Sequence, residues 1–126
     1  MANTPGIHTS DFHIGRYRLA KHFATSAINA LDVDPKYARQ LLLESASEFP
    51  SGRVPLFVCE CCADLSCGAI TVAVEIADGL VTWRDFGRET PYASVPAFPE
   101  IYARTGPFYF ELTAYRSTLR PYSHTR

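Results

Sequence analysis

The strongest constraint on this chain is a two-residue turn. Asp78-Gly79 joins two runs, 70–77 and 80–86, that suit paired strands. In the first, Ile70, Val72, Val74 and Ile76 alternate with Thr71, Ala73, Glu75 and Ala77, the period of a half-buried strand. Asp-Gly accepts the positive φ angles that a tight hairpin requires, so it fixes the register as well as the turn. Folding about it sets Ile76 opposite Val81, Val74 opposite Trp83 and Val72 opposite Asp85 on one face. The other face pairs Glu75 with Thr82, Ala73 with Arg84 and Thr71 with Phe86. Asp85 then falls on the apolar face. A buried carboxylate needs a partner, so the strand ends or bulges there, or a donor such as an arginine holds the acid.

The stretch 54–86 also contains all four cysteines and the only tryptophan. Val54, Leu56 and Val58 alternate with Pro55, Phe57 and Cys59, a third strand that Pro55 places at a sheet edge or makes start late. Cys59-x2-Cys62 has the spacing of a zinc knuckle. Cys59, Cys62 and Cys67 are therefore candidate ligands for zinc, with Cys61, Asp64 or a distant histidine as the fourth. No second Cys-x2-Cys pair accompanies them, and the competing reading is a turn whose thiols pack as small apolar groups. A redox role needs the first cysteine near a helix N-terminus, whereas here a strand follows.

Before this stretch the spacing predicts two helices. Leu19, Phe23, Ala27 and Leu31, with Ala20, Ala24 and Ile28 beside them, make one apolar stripe over 19–31. Asp34 as N-cap and Pro35 as first residue open a second. In it Ala38, Leu41, Leu42, Ala46 and Phe49 face inward, Gln40 and Glu44 face water, and Pro50 and Gly52 end it. After the hairpin, 87–106 reads as a Pro-rich loop with a helical turn near Glu100; a strand at 108–112 and a last helix to Leu119 follow. The expected fold is α+β: a small antiparallel sheet of about three to five strands packed on two N-terminal helices and a short C-terminal helix. With 126 residues the chain is read as one domain, 1–11 and 121–126 being loose termini.

The net charge of −1 provides no field to draw nucleic acid or an anionic membrane. No apolar run is long enough to span a bilayer, and the first residues lack a signal-peptide pattern, so a cytoplasmic protein with reduced thiols is expected. There is no Gly-rich phosphate loop, no His-Glu-x2-His and no nucleophile elbow. The acids Glu60, Asp64, Asp85 and Glu89, with the aromatic Tyr92, gather near one end of the sheet and are the candidate partner-binding residues.

Cys59, Cys62, Cys67-Gly68, then Trp83-Arg84-Asp85-Phe86-Gly87, then Gly106-Pro107-Phe108 resemble the sequence of a group of small bacterial proteins. Their usual form is a strand, Cys-Pro-x-Cys-Gly-Asp-Leu-Gly-Cys-Gly-Ala, a second strand, Trp-x-Asp-Phe-Gly, and a late Gly-Pro-Phe-x-Phe segment before a final helix. The likeness covers roughly 40–120 and departs at Cys61 and Cys62-Ala63, where the usual glycine would relieve the turn. Some members carry an oxidoreductase label, but this sequence has no cofactor motif. In size and architecture, rather than in any motif, the chain is also similar to immunity proteins, the cognate inhibitors of toxins in contact-dependent and type VI systems. That likeness implies a non-enzymatic binding protein whose partner is a cognate toxin. The alternative is a zinc-binding or thiol-redox protein centred on the cysteine hairpin.

Overall fold

The structure, a computed structural model, describes residues 4–20, 27–59, 68–90, 92 and 100–124. Two antiparallel sheets organise it. The smaller is a meander of β1 (Ile7–His8), β2 (His13–Ile14) and β3 (Tyr17–Arg18). The larger has the order β4-β5-β6-β7-β8, formed by Ala27–Asn29, Val54–Cys59, Ala69–Ala77, Leu80–Glu89 and Phe108–Glu111. The described α-helices are α1 (Pro35–Leu41), α2 (Glu100–Ala103) and α3 (Leu112–Leu119). The α+β class, the antiparallel pairing and the C-terminal helix match the expectation; the pair of N-terminal helices does not.

The predicted helix over 19–31 is replaced. Leu19 and Ala20 are helical, 21–26 lie outside the described residues, and by Ala27 the chain is extended. Ala27, Ile28 and Asn29 pair with Cys59, Val58 and Phe57, and a 3-10 turn, Ala30–Asp32, follows. Small and β-branched residues at this spacing suit either conformation, and pairing with β5 decides between them. The same pairing corrects the position of β5, which is internal rather than at an edge. Pro55 is tolerated because β4 reaches only Phe57–Cys59, and the register between β5 and β6 shifts between Pro55 and Phe57.

α1 starts as expected, with the Asp34 side chain accepting from Lys36 N–H at 2.8 Å and Pro35 at the first turn. It stops at Leu41, more than two turns early. Leu43 N–H donates to Gln40 O at 3.0 Å and Glu44 N–H to Arg39 O at 2.9 Å, which closes the helix with a Schellman motif. Leu43 takes the left-handed position with φ 56°. Of the expected inward residues Ala38, Leu41 and Leu42 are buried on or at the end of the helix and Phe49 is buried beyond it; Ala46 is exposed, and Gln40, expected to face water, is buried.

The main core lies between the large sheet on one side and α1, α3 and the small meander on the other. Trp83 is its centre. Its ring meets Phe110 at 4.9 Å, Phe12 at 5.7 Å and Tyr115 at 6.2 Å between centroids, all edge-on, the arrangement that aromatic quadrupoles favour. Trp83 Nε1 donates to the Tyr115 hydroxyl at 3.1 Å, and that hydroxyl donates to Leu41 O at 2.7 Å. One buried chain of hydrogen bonds thus ties β7 to α3 and α3 to α1. At the termini, Ile7 and His8 are already in β1, and Arg120–Ser123 forms a 3-10 turn. Ser123 O there accepts from Arg39 Nη1 at 2.8 Å, and Tyr122 and Thr9 share a hydroxyl–hydroxyl bond of 2.5 Å.

Candidate functional site

The hairpin follows the expected register from Ala77↔Leu80 as far as Ala73↔Arg84, then slips to Thr71↔Gly87. Val72 on β6 faces two residues on β7, Asp85 and Phe86, which makes a β-bulge. Asp85 is the extra residue, with φ 56°, the left-handed position that such a bulge usually gives to glycine. Of the alternatives open for Asp85, the bulge is the one realised. It turns the carboxylate out to solvent, where it pairs with Arg84 Nη1 at 2.5 Å, and it brings Phe86 into the core in its place.

Phe86 then needs room beside it, and Gly106 leaves that room. A Cβ at Gly106, whose φ is 79°, would come within 3.1 Å of the Phe86 ring. Phe86 also meets Phe108 edge-on at 5.8 Å. The Trp-x-Asp-Phe-Gly and Gly-Pro-Phe segments, distant in sequence, therefore meet at the bulge.

Behind the bulge lies a buried polar network. Arg53 Nε pairs with Glu89 Oε1 at 3.1 Å and donates to Thr71 Oγ1 at 3.0 Å. Arg53 Nη2 donates to Thr71 O at 3.1 Å and to the backbone oxygen of Asp85. Glu89 accepts from Thr71 Oγ1 at 2.8 Å and from Ser51 Oγ at 2.8 Å. Burial pulls Arg53 below its ordinary value, against the attraction of Glu89 and then Asp85; a guanidinium stays charged in any case. With both charges well supplied with partners, the pair meets the condition under which burial of ions is tolerated.

In front of the bulge is a cleft of ≈ 580 Å³ whose walls include Arg53, Arg84, Asp85, Phe86, Pro107 and Tyr109. Its size is within the range of ligand and side-chain pockets. The exposed Ala103 and Pro107 give it an apolar wall, and Phe86 lies fully buried beneath it. Arg84, Asp85 and Tyr109 (42% exposed) stand at its rim. The arrangement sets a paired charge and a phenol beside a partly apolar wall.

Of the expected partner-binding residues that the structure describes, Asp85 alone is at this cleft. Tyr92 is 81% exposed but does not line it. Glu89 is 6% exposed and satisfied internally, so it is an interior structural acid rather than a partner-facing one. Glu60 and Asp64 lie outside the described residues, as do Cys61, Cys62 and Cys67. Cys59 is half-buried at the end of β5, paired across the sheet with Ala27. Among the described residues no three His, Cys, Asp or Glu side chains gather to hold a metal ion. Sequence reasoning missed Arg53 and Arg84 at the cleft. It also missed Tyr109, whose outward position follows from its place between Phe108 and Phe110 in a strand.

No helix among the described residues is long and apolar enough to cross a membrane. No protein-family model, no curated protein and no solved structure matches the chain.

Proposed function

We propose that this chain is a non-enzymatic protein-binding module, an immunity-type inhibitor that neutralises a cognate bacterial toxin in the cytoplasm by covering the toxin's active site. The observation that supports the reading most is the rim of the bulge cleft. An arginine, a carboxylate and a half-exposed tyrosine stand beside a partly apolar wall there, and arginine and tyrosine are the residue types that dominate binding hot spots. The backbone beneath them is fixed by the Arg53 network and by Phe86 against Gly106. A partner side chain entering the cleft thus meets groups already held in place, which lowers the ordering cost of association.

The reading is tested by co-expression with the product of the neighbouring gene. A stable complex, and survival of cells that otherwise die from that product, are expected. Arg84→Ala and Tyr109→Ala should each weaken the complex about tenfold or more, the loss of about 1.4 kcal/mol that marks a contributing contact. Both side chains are half-exposed, so the fold should persist. Absence of a complex together with undiminished toxicity sinks the function; a complex indifferent to both substitutions moves it off this cleft.

A further inference from the structure

The small meander sets two histidines side by side on its outward face. His8 pairs with His13 as the last rung of β1 and β2 before the loop 9–12, and Ile7 pairs with Ile14 as the rung behind it. Residues directly opposite in an antiparallel pair carry their side chains on the same face. Ile14 is buried and Ile7 packs against the core, so the alternation of the strands turns both imidazoles outward. His8 is exposed and His13 half-buried. Their ring centres are 6.4 Å apart, and the planes meet at 67°.

The frame under this pair is firmer than two-residue strands alone supply. Gly15 N–H donates to Gly6 O at 3.2 Å at one end of the ladder, and Phe12 N–H donates to Thr9 O at 3.4 Å at the other. Phe12, from the loop, is buried and meets Phe57 at 5.5 Å as well as Trp83. Thr9 O also accepts from Asn29 Nδ2, and the Thr9 hydroxyl is the one bonded to Tyr122. The loop is thus tied to the core and to the C-terminal turn. The two histidines are held opposite each other before any ligand arrives, which is what a precise site requires of its scaffold.

Their surroundings leave the ring nitrogens available. Among the described residues neither imidazole makes a hydrogen bond. A neutral imidazole keeps one nitrogen lone pair to give. Arg18 lies opposite His13 across β2 and β3, but its guanidinium is turned to the Asp11 carboxylate, which offsets its charge. Imidazole is a ligand that suits zinc, copper and nickel. Two imidazoles that share one tetrahedral ion, each nitrogen about 2.0–2.1 Å from it, have ring centres about 5 Å apart. Rotation about the side-chain bonds of the exposed His8 closes the rings to that separation.

We infer that His8 and His13 form a surface chelate for a divalent transition-metal ion of the zinc, copper and nickel class, which clips β1 to β2. Two imidazoles are the protein's share of the ligands among the described residues, where no third His, Cys, Asp or Glu joins them. Water completes the coordination, so the site is open. It is separate from the cysteine stretch and from the bulge cleft, and it stands or falls without any toxin.

The test uses the whole chain, with zinc chloride as the probe because zinc leaves NMR signals sharp. The imidazole signals of His8 and His13 should shift together and saturably, while those of the exposed His124 stay in place. His8→Gln should weaken the zinc response at His13 at least about tenfold, and His13→Gln that at His8, because each leaves one ligand where two had acted as one. Neither residue is buried, and the Trp83 indole signal reports that each variant keeps its fold. Zinc held by the cysteines does not mimic this result, since it does not make one imidazole depend on the other. A shift at one ring only, no saturable shift in the unsubstituted protein, or a folded variant that binds as tightly as before would each overturn the inference.

Discussion

The two ends of the β6–β7 hairpin are held by opposite kinds of force. Toward the Asp78-Gly79 turn, Trp83 is packed among Phe12, Phe110 and Tyr115, and the stabilisation is apolar area and ring contact. Beyond the bulge, the strands are joined by Arg53, Glu89, Thr71 and Ser51, charges and hydroxyls that are almost all out of water. Apolar packing is cumulative: each lost contact removes a share. A buried ion pair behaves as a unit, because the member that remains after its partner is deleted has lost both water and its counter-charge. Asp85 marks the change from one regime to the other. Its backbone oxygen belongs to the Arg53 network, while Phe86, next along, belongs to the aromatic core.

Deletion of the largest ring should have the largest effect. Trp83→Ala removes the centre of the aromatic cluster and leaves the Tyr115 hydroxyl without its indole donor, so a loss of about 3–5 kcal/mol is expected in denaturant melts. A loss below about 1 kcal/mol would mean that the apolar end does not hold the hairpin. At the polar end, Glu89→Leu leaves Arg53 buried without its paired carboxylate and should also lose about 3–5 kcal/mol. The sharper test is the pair. Arg53→Met with Glu89→Leu removes both charges and should recover most of that loss, since apolar replacement of a whole buried pair is often close to neutral. If the double variant is as unstable as the single one, the network acts as separate contacts and the contrast between the two ends fails.

The two regions also differ in how far the sequence reveals them. The turn and the first part of the register were legible because Asp-Gly allows one tight turn and the alternation admits one face, and Ile76↔Val81 through Ala73↔Arg84 pair as expected. The bulge was legible as a conflict: an acid at an inward position after Trp83. A bulge was one of the readable resolutions, but the groups that hold it were not legible, because Arg53, Gly106 and Pro107 reach it only through tertiary folding. The helix expected over 19–31 shows the limit of periodicity. Ile28 and Asn29 carry no strong helix signal of their own, and β5 offered them and Ala27 a ladder. The early end of α1 was hidden for the opposite reason. The signal for such an end is glycine, and the chain has Leu43.

The hydrogen-bond chain from Trp83 to Leu41 allows the apolar end to be probed by pH. Burial pushes the Tyr115 phenol well above its ordinary value, partly offset by the Trp83 N–H. The folded state therefore holds this proton more tightly than the unfolded chain does. The stabilisation is complete below the ordinary tyrosine value of about 10 and declines as pH rises through it and beyond. Tyr115→Phe should lose about 1–3 kcal/mol at neutral pH, since the indole N–H then lacks an acceptor. It should also flatten the alkaline limb seen when unfolding midpoints near pH 8 and about pH 11 are compared. An unchanged slope would assign alkaline unfolding to other groups.

The smallest effect on stability is expected at the junction of the two regions, and it carries the most information about function. Asp85→Gly relieves a left-handed residue of its Cβ but gives up the exposed pair with Arg84. Strain relief and a surface ion pair are both small, so the net change should lie within about 0.5 kcal/mol of zero. Asp85→Val, which keeps a Cβ and branches it, should lose about 1–2 kcal/mol, because the left-handed position tolerates β-branching least. If both variants are equally stable, the bulge is not set by the backbone of Asp85. If glycine is neutral for folding yet weakens partner binding, the fold had no need of an acid at this position. The carboxylate at the rim is then retained for what enters the cleft, and the bulge is the means by which a core strand presents it.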